Sequence, residues 1–138
     1  MDYKIAEFEK HNDRRGDLVV FLKKKELGKN QKIFGQIYFV TFKKKGTVRG
    51  NHYHKQWREW FGIVSGKLEV NLKDVRTGET AKINLAAASD KYIRLEIGPF
   101  IVHSFKSLSE YASMINYANR EWSNKDTYID KIMKANND

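Results

Sequence analysis

Residues 50–59 read Gly50-Asn51-His52-Tyr53-His54-Lys55-Gln56-Trp57-Arg58-Glu59 and hold two of the chain's four histidines. A second motif, Gly98-Pro99-Phe100-Ile101-Val102-His103, contains the only proline. Side chains two residues apart on a β-strand point to the same face, so His52 and His54 should project together while Tyr53 points away. We therefore expect His52 and His54 to share one pocket, with Glu59 and His103 converging on it.

The length and composition of the chain predict one cytoplasmic domain. Its 138 residues can bury an apolar core without disulfides. It contains no cysteine, which fits a reducing compartment and excludes thiol catalysis. The N-terminus lacks the apolar run of a signal peptide, and no segment is long and apolar enough to cross a bilayer. We expect a single domain over residues 1–138, in the cytoplasm and without a membrane partner.

The formal net charge of +9 predicts an anionic partner, which can be nucleic acid, lipid head groups or a phosphorylated small molecule. The lysine runs at 23–25 and 43–45 lie beside turn signals, and such runs are usually solvated loops. Neither a recognition helix nor an aromatic RNA-binding motif accompanies the charge, which disfavours nucleic acid. Because no glycine-rich phosphate loop is present, side chains would have to hold a phosphate.

The hydrophobic pattern predicts an all-β domain with one short C-terminal helix. Short alternating or β-branched runs are separated by turn signals, as is typical of a sandwich or barrel. The predicted strands are 18–22, 36–42, 60–64, 67–72, 80–85, 91–97 and 114–118. Alternation within 67–72 places Leu68, Val70 and Leu72 inward. The helix is predicted after Ser123-Asn124, a possible cap, because four apolar residues then recur at helical spacing, Tyr128, Ile129, Ile132 and Met133.

Three imidazoles and one carboxylate admit two kinds of chemistry. They can ligate a divalent metal such as zinc through His52, His54, Glu59 and His103. Alternatively, the histidines act as general acid and base near neutral pH without a metal. Glu59 has a further interpretation as a surface ion pair with Lys55 or Arg58.

Other residues near the motif have less specific patterns. Arg49 precedes Gly50 and is either a bidentate phosphate ligand or an ordinary exposed arginine. The fourth histidine, His11, lies in a polar segment and is interpreted as a surface residue. Tyr53, Trp57 and Trp60 are interpreted as packing or interface residues, although an aromatic side chain at a pocket rim could also stack on a nucleobase.

The two motifs resemble the signatures of the cupin superfamily, which implies a jelly-roll barrel, also called a double-stranded β-helix. Beyond this, the chain resembles sugar-nucleotide cupins, and especially the dTDP-4-keto-6-deoxyglucose 3,4-ketoisomerases of bacterial surface-polysaccharide biosynthesis. The similarity extends over most of the chain through five segments: Asp13-Arg14-Arg15-Gly16-Asp17-Leu18-Val19, Ile37-Tyr38-Phe39, residues 49–55, Gly98-Pro99 with His103, and Asp126-Thr127-Tyr128.

This resemblance implies an isomerase that moves a ketone from carbon 4 to carbon 3 of a dTDP-linked sugar. His52 and His54 would be catalytic, and no metal or other cofactor is expected. The residues implied in substrate binding are Arg49, Tyr38, Arg15, His103 and Glu59. The resemblance also implies a homodimer, in which N-terminal strands can exchange between subunits.

Glu59 departs from this pattern, because the ketoisomerases are expected to carry Gln there. Residues 49–54 and 118–121 are also similar to the metal-binding cupin domains of bifunctional capsule enzymes, which act on UDP-sugars. Two alternatives therefore stay open beside the ketoisomerase. One is a keto-sugar-nucleotide epimerase, with or without a divalent metal such as zinc; the other is a cupin that binds a sugar without catalysis.

Overall fold

The computed structural model describes residues 1–135, which form short strands and tight turns. Three 3-10 turns span Lys24–Glu26, Lys29–Gln31 and Asn124–Asp126. The strands are β1 (Tyr3–Glu9), β2 (His11–Asp13), β3 (Gly16–Leu18), β4 (Gln36–Phe42), β5 (Val48–Tyr53), β6 (Glu59–Ser65), β7 (Lys67–Asp74), β8 (Thr80–Ala86), β9 (Lys91–Ile97), β10 (Ile101–Ser107), β11 (Ala112–Ala118) and β12 (Tyr128–Ile129).

Two antiparallel sheets of five strands face each other. The first sheet has the order β1-β9-β6-β11-β4, and the second sheet has the order β12-β5-β10-β7-β8. A small hairpin joins β2 to β3. Because most neighbours in each sheet are distant in sequence, the chain crosses repeatedly between the sheets, as in a jelly roll. The predicted all-β jelly roll is confirmed.

The core lies between the two sheets and follows the alternation of the strands. Leu68, Val70 and Leu72 are buried as predicted, and they alternate with more exposed residues along β7. Phe61 and Phe105 contribute large buried rings from opposite sheets. Burial of apolar surface here contributes about 25 cal/mol per Å². The sheets therefore form a rigid frame for any polar side chain that points inward from the same strands.

Most predicted strands match observed ones, but residues 18–22 do not form a strand over their full length. Strand β3 ends at Leu18, and the backbone that follows makes other contacts. The Phe21 carbonyl accepts a hydrogen bond from the Arg94 guanidinium. Val19 and Phe21 pack beside the core. The guanidinium of Arg94 on β9 thus supplies the hydrogen bond that a neighbouring strand would give to this backbone.

The predicted C-terminal helix is wrong for the described part of the tail. Residues 123–133, which we call the C-terminal strap, form one 3-10 turn and the two-residue strand β12. The strap lies along β5, where Tyr128 pairs with Tyr53 in register and their rings stack 5.2 Å apart. The Asn51 side chain accepts hydrogen bonds from the backbone N–H groups of Ile132 and Met133. These contacts with β5 take up the backbone groups that a helix would pair internally.

A β-bulge interrupts the pairing of β5 with β10. His52 lies opposite His103, but Gly50 lies opposite Ser104, so Asn51 is an extra residue on β5. Both bulge residues adopt positive φ, +98° at Gly50 and +59° at Asn51. Such bulges re-aim the side chains that follow them.

Gly50→Ala should destabilise the protein by about 3 kcal/mol, since it combines backbone strain with overpacking. A Cβ at this position would lie 2.5 Å from the His103 carbonyl oxygen. Gly78→Ala is the matched control, because φ is +79° there and no atom lies within 4 Å of the new Cβ. The control should lose only about 1 kcal/mol. Urea unfolding measures both changes, and equal losses would contradict the close approach at Gly50.

Candidate active site

The second sheet supplies three imidazoles to the interior, which we call the histidine cluster: His52, His54 and His103. His52 faces His103 across β5 and β10, and residues paired in register share a face. His103 pairs on its other side with the buried Leu72, which fixes that face as the interior. The rings of His52 and His54 are centred 5.1 Å apart, so the structure brings these two imidazoles together as the sequence predicted.

Backbone carbonyls fix the orientation of these rings. His54 Nδ1 lies 2.8 Å from the Asp126 carbonyl oxygen, and His103 Nδ1 lies 3.1 Å from the Ile101 carbonyl oxygen. The His52 ring hydrogen bonds to the backbone of Gly50. A carbonyl only accepts, so the bonded Nδ1 atoms of His54 and His103 each carry a proton and each Nε2 presents a lone pair. One potential ligand atom from each ring lies within 4.8 Å of the others.

Glu59 completes this arrangement from the first sheet. Its Oε2 atom lies 3.2 Å from His103 Nε2 and 3.8 Å from His54 Nε2. The residue is only 5% exposed, so its interpretation as a surface ion pair is wrong. Burial raises the pKa of the Glu59 carboxyl to about 8, although hydrogen bonds from Asn116 and Trp57 oppose the shift. When no cation is bound beside it, the Glu59 carboxyl therefore keeps its proton near neutral pH.

Burial has the opposite effect on the imidazoles, because it disfavours their charged form. The pKa of His54 is lowered to about 4, and the pKa of His103 falls well below its ordinary value. The pKa of His52 is also lowered by burial. All three rings are thus neutral at pH 7. Neutral imidazoles are suited to accept a proton or to bind a metal.

The donor set fits a divalent metal. Two Nε2 lone pairs and a carboxyl oxygen converge, and such acceptors repel each other unless a proton or a cation lies between them. Metal-binding histidines generally donate their second ring N–H to a carbonyl or carboxylate, as these do. A bound metal would be held by the histidine cluster and Glu59. It would supply positive charge that polarises a substrate carbonyl.

Two further predicted residues lie beside the cluster. Tyr38 on β4 is paired in register with the buried Asn116, which places it on the interior face. Its charge interactions with Glu59 and Arg49 are strong enough to affect its pKa, which burial raises. Arg49 pairs in register with the buried Phe105, and its head group remains exposed. Tyr38 and Arg49 are therefore placed at the rim of the histidine cluster.

Arg15 is not brought to this site within the subunit. It lies in the turn between β2 and β3, where its guanidinium pairs with Asp13 at 2.6 Å. Its side chain is 91% exposed, so it does not contact the buried imidazoles. Its role in substrate binding stays a prediction. His11 is exposed, as expected.

Three residues that the sequence analysis did not assign to the site contact it. Trp57 stacks on the His54 ring at 3.8 Å between centroids. Asn116 lies 3.5 Å from Glu59 Oε1 through its amide nitrogen. Asp126 provides the carbonyl that holds His54. Trp57 lies within the motif at residues 50–59, and Asp126 lies within Asp126-Thr127-Tyr128, whereas Asn116 carried no signal in the sequence.

Comparison with protein families gives a match over most of the chain. The model of the polysaccharide biosynthesis C-terminal domain matches residues 11–128. The chain belongs to this family. No curated protein sequence matches it. In the part of the chain that the structure describes, no helix is long and apolar enough to span a membrane.

Several solved structures have the same fold as this protein. A variant of the 3,4-ketoisomerase QdtA from Thermoanaerobacterium thermosaccharolyticum, in complex with TDP-4-keto-6-deoxyglucose, is 20% identical; the alignment covers 91% of this chain and 86% of QdtA, with a TM-score of 0.75. The 3'-monoepimerase ChmJ from Streptomyces bikiniensis, in complex with dTDP-quinovose, is 16% identical, with coverages of 92% and 68% and a TM-score of 0.80. These similarities confirm the predicted cupin fold.

The capsular polysaccharide assembling protein CapF from Staphylococcus aureus is also similar. It is 25% identical, with a TM-score of 0.65. The alignment covers 72% of this chain but only 27% of CapF. The likeness therefore concerns one part of a much longer protein.

Zinc added to chelator-treated protein should bind at one equivalent, because four donors converge at the histidine cluster. Glu59→Gln should weaken this binding at least tenfold, since it removes a carboxyl oxygen that lies 3.2 Å from His103 Nε2 and 3.8 Å from His54 Nε2. Isothermal titration calorimetry measures both values. Glu69→Gln is the control, because Glu69 forms a surface ion pair with Lys82. Equal zinc affinity in the Glu59 variant and the unmodified protein would contradict the placement of Glu59 as a ligand.

Proposed function

We propose that this protein is a nucleotide-sugar isomerase that moves a ketone from carbon 4 to carbon 3 of a dTDP-linked 4-keto-6-deoxyhexose. The observation that carries the proposal is the close approach of the neutral rings of His52 and His54, with the buried carboxyl of Glu59 3.8 Å from His54 Nε2. The family match to polysaccharide biosynthesis and the likeness to QdtA support it.

The reaction requires two proton transfers and no redox partner. His52 removes the proton from carbon 3, which is acidic because it lies beside the ketone. The electrons of that C–H bond form an enediolate across carbons 3 and 4, and the negative charge develops on the carbon 4 oxygen. Return of a proton to carbon 4 gives the 3-keto sugar. A well-placed acid or base contributes about 10²- to 10⁴-fold in rate.

His52 is the base because it is the least buried member of the histidine cluster. His54 transfers the hydroxyl proton instead. In its fixed tautomer, His54 Nε2 accepts first, so it takes the proton of the carbon 3 hydroxyl and then gives it to the carbon 4 oxygen. The carboxyl of Glu59 lies 3.8 Å from the same nitrogen, and in its ionised form it would stabilise the positive charge that the ring acquires.

The rim residues suit the nucleotide part of the substrate. Arg49 has an exposed guanidinium beside Tyr38, and a guanidinium binds phosphate oxygens in a bidentate manner. The net charge of +9 favours the approach of a diphosphate. Arg49 therefore binds the diphosphate, and the sugar extends inward towards His52. QdtA with bound TDP provides a precedent for a nucleotide in this fold.

A second candidate is a metal-dependent epimerase acting on a keto-sugar nucleotide, including a UDP-sugar. The buried carboxyl of Glu59 beside three imidazoles favours it, because this donor set fits a divalent metal. The same proton is removed, but it returns to the same carbon from the other face. The likeness to the 3'-monoepimerase ChmJ supports the epimerase alternative.

An NMR time course in deuterated buffer with dTDP-4-keto-6-deoxyglucose distinguishes these functions. The expected result is a 3-keto product that carries deuterium at carbon 4, before and after chelator treatment. Deuterium at carbon 3 with the ketone still at carbon 4 would favour the epimerase, if this exchange is lost on chelation and restored by zinc. Saturable binding of the sugar nucleotide without deuterium uptake would identify a binding protein without catalysis and overturn the proposal.

His52→Asn should reduce kcat at least 10³-fold, because it removes the base while preserving polarity and approximate size. Turnover is followed by the same NMR assay, and circular dichroism checks the fold. His11→Asn is the matched control, since His11 is exposed on β2 and away from the histidine cluster. Full activity in the His52 variant would contradict its assignment as the base.

A second copy of this chain is the protein partner that we propose. Strand β4 is an edge of the first sheet, and its outward residues Ile37 and Phe39 are 59% and 78% exposed. Ile37 and Phe34 line an apolar cavity of about 380 Å³ on the same outer face. An open strand edge with exposed apolar side chains favours association with another protein surface.

Phe39→Asp should therefore convert a dimer into a monomer, because it places a charge in the apolar contact. Light scattering after size-exclusion chromatography measures the mass. Ile129→Asp is the control: Ile129 is 84% exposed but lies on β12 of the second sheet. Dissociation by the Ile129 variant alone would place the interface on the other sheet.

A further inference from the structure

Asp126 connects the C-terminal strap to the loop that carries His54. Its two carboxylate oxygens accept hydrogen bonds from the backbone N–H groups of Lys55 and Gln56, at 2.9 and 3.0 Å. Its own backbone carbonyl lies 2.8 Å from His54 Nδ1. One residue thus binds three consecutive positions, 54 to 56.

Asp126 is buried, and the strap holds it firmly in place. Its backbone N–H donates to the Ser123 carbonyl, and the Ser123 hydroxyl accepts from the Lys125 N–H. On the other side, Tyr128 and Ile129 pair with β5. The position of the Asp126 carbonyl is therefore set by contacts on both sides of the residue.

We infer that Asp126 is a positioning residue that selects the tautomer of His54. The carboxylate anchors residues 55 and 56, and this keeps the Asp126 carbonyl against His54 Nδ1. Nδ1 then carries the proton, and the lone pair of Nε2 faces Glu59 Oε2 at 3.8 Å. The opposite tautomer would place a proton on Nε2 and leave His54 unable to accept one. The catalytic consequence rests on the proposed function, whereas the tautomer itself does not.

The carboxylate is suited to this task in a way that its amide is not. Each of its two oxygens accepts one N–H, and Asn can offer only one acceptor oxygen. The amide NH₂ group of Asn would face the second backbone N–H, and two donors repel. Asp126→Asn should therefore separate residue 126 from residues 55 and 56, and the carbonyl would leave His54 Nδ1.

Long-range ¹H–¹⁵N NMR of the imidazole nitrogens tests this inference in the chelator-treated protein at pH 7.5. The unmodified protein should show His54 as the Nδ1–H tautomer, and Asp126→Asn should show a mixture of tautomers. The kcat for the sugar nucleotide should fall about tenfold, with KM changed less than threefold. A role in stability alone would change neither the tautomer nor kcat in a protein that remains folded.

Asp130→Asn is the matched control, since Asp130 belongs to the same strap and pairs with Lys73 at 3.0 Å. It should leave the His54 tautomer and kcat unchanged. If Asp126→Asn does not fold, Asp126→Glu provides the same comparison, because it keeps both oxygens but displaces them. An unchanged His54 tautomer in the folded Asp126 variant, or the same change in the control, would overturn the inference. Absence of turnover in the unmodified protein would refute the proposed function while leaving the tautomer test valid.

Discussion

The site depends on one extra residue in β5. Arg49 pairs in register with the interior residue Phe105, so strict alternation along the strand would next turn Asn51 and Tyr53 towards that face. His52 and His54 would then face solvent. The bulge at Gly50 and Asn51 reverses this parity, and it does so with two positive φ angles that the sequence accommodates. Every catalytic argument about the histidine cluster follows from this local change of register.

The histidine cluster is costly for the fold, because it places polar groups where other strands contribute leucine and phenylalanine. Backbone carbonyls satisfy one nitrogen of each ring, which reduces the penalty of burial. The Nε2 lone pairs of His54 and His103 face the Glu59 carboxyl, where a proton or a cation would satisfy them. The proton or cation that lies between Glu59 and these imidazoles therefore affects both the stability of the fold and the chemistry of the site.

The sequence predicted the sandwich well, since burial on one face imposes a period of two that is visible in strands such as β4 and β7. It also predicted the convergence of the histidines. The helix prediction failed because the apolar spacing of the strap has another cause: Met133 is buried while Ile129 is exposed, which is not the pattern of one helical face. Asn116 and Asp126 act through hydrogen bonds to residues distant in sequence, and such contacts leave no periodic signal.

Because the C-terminal strap is synthesised after strands β1 to β11, the sheets can pair before the His54 ring is oriented. A chain is synthesised from its N-terminus, so strands β1 to β11 are all available before residues 123–133 emerge. The strands up to β11 can therefore pair while the His54 ring still lacks its carbonyl partner and Asn51 lacks its hydrogen bonds to the strap. A nascent chain at that stage would have the two sheets without the carbonyl that orients His54, and the ring would become oriented only when the strap docks.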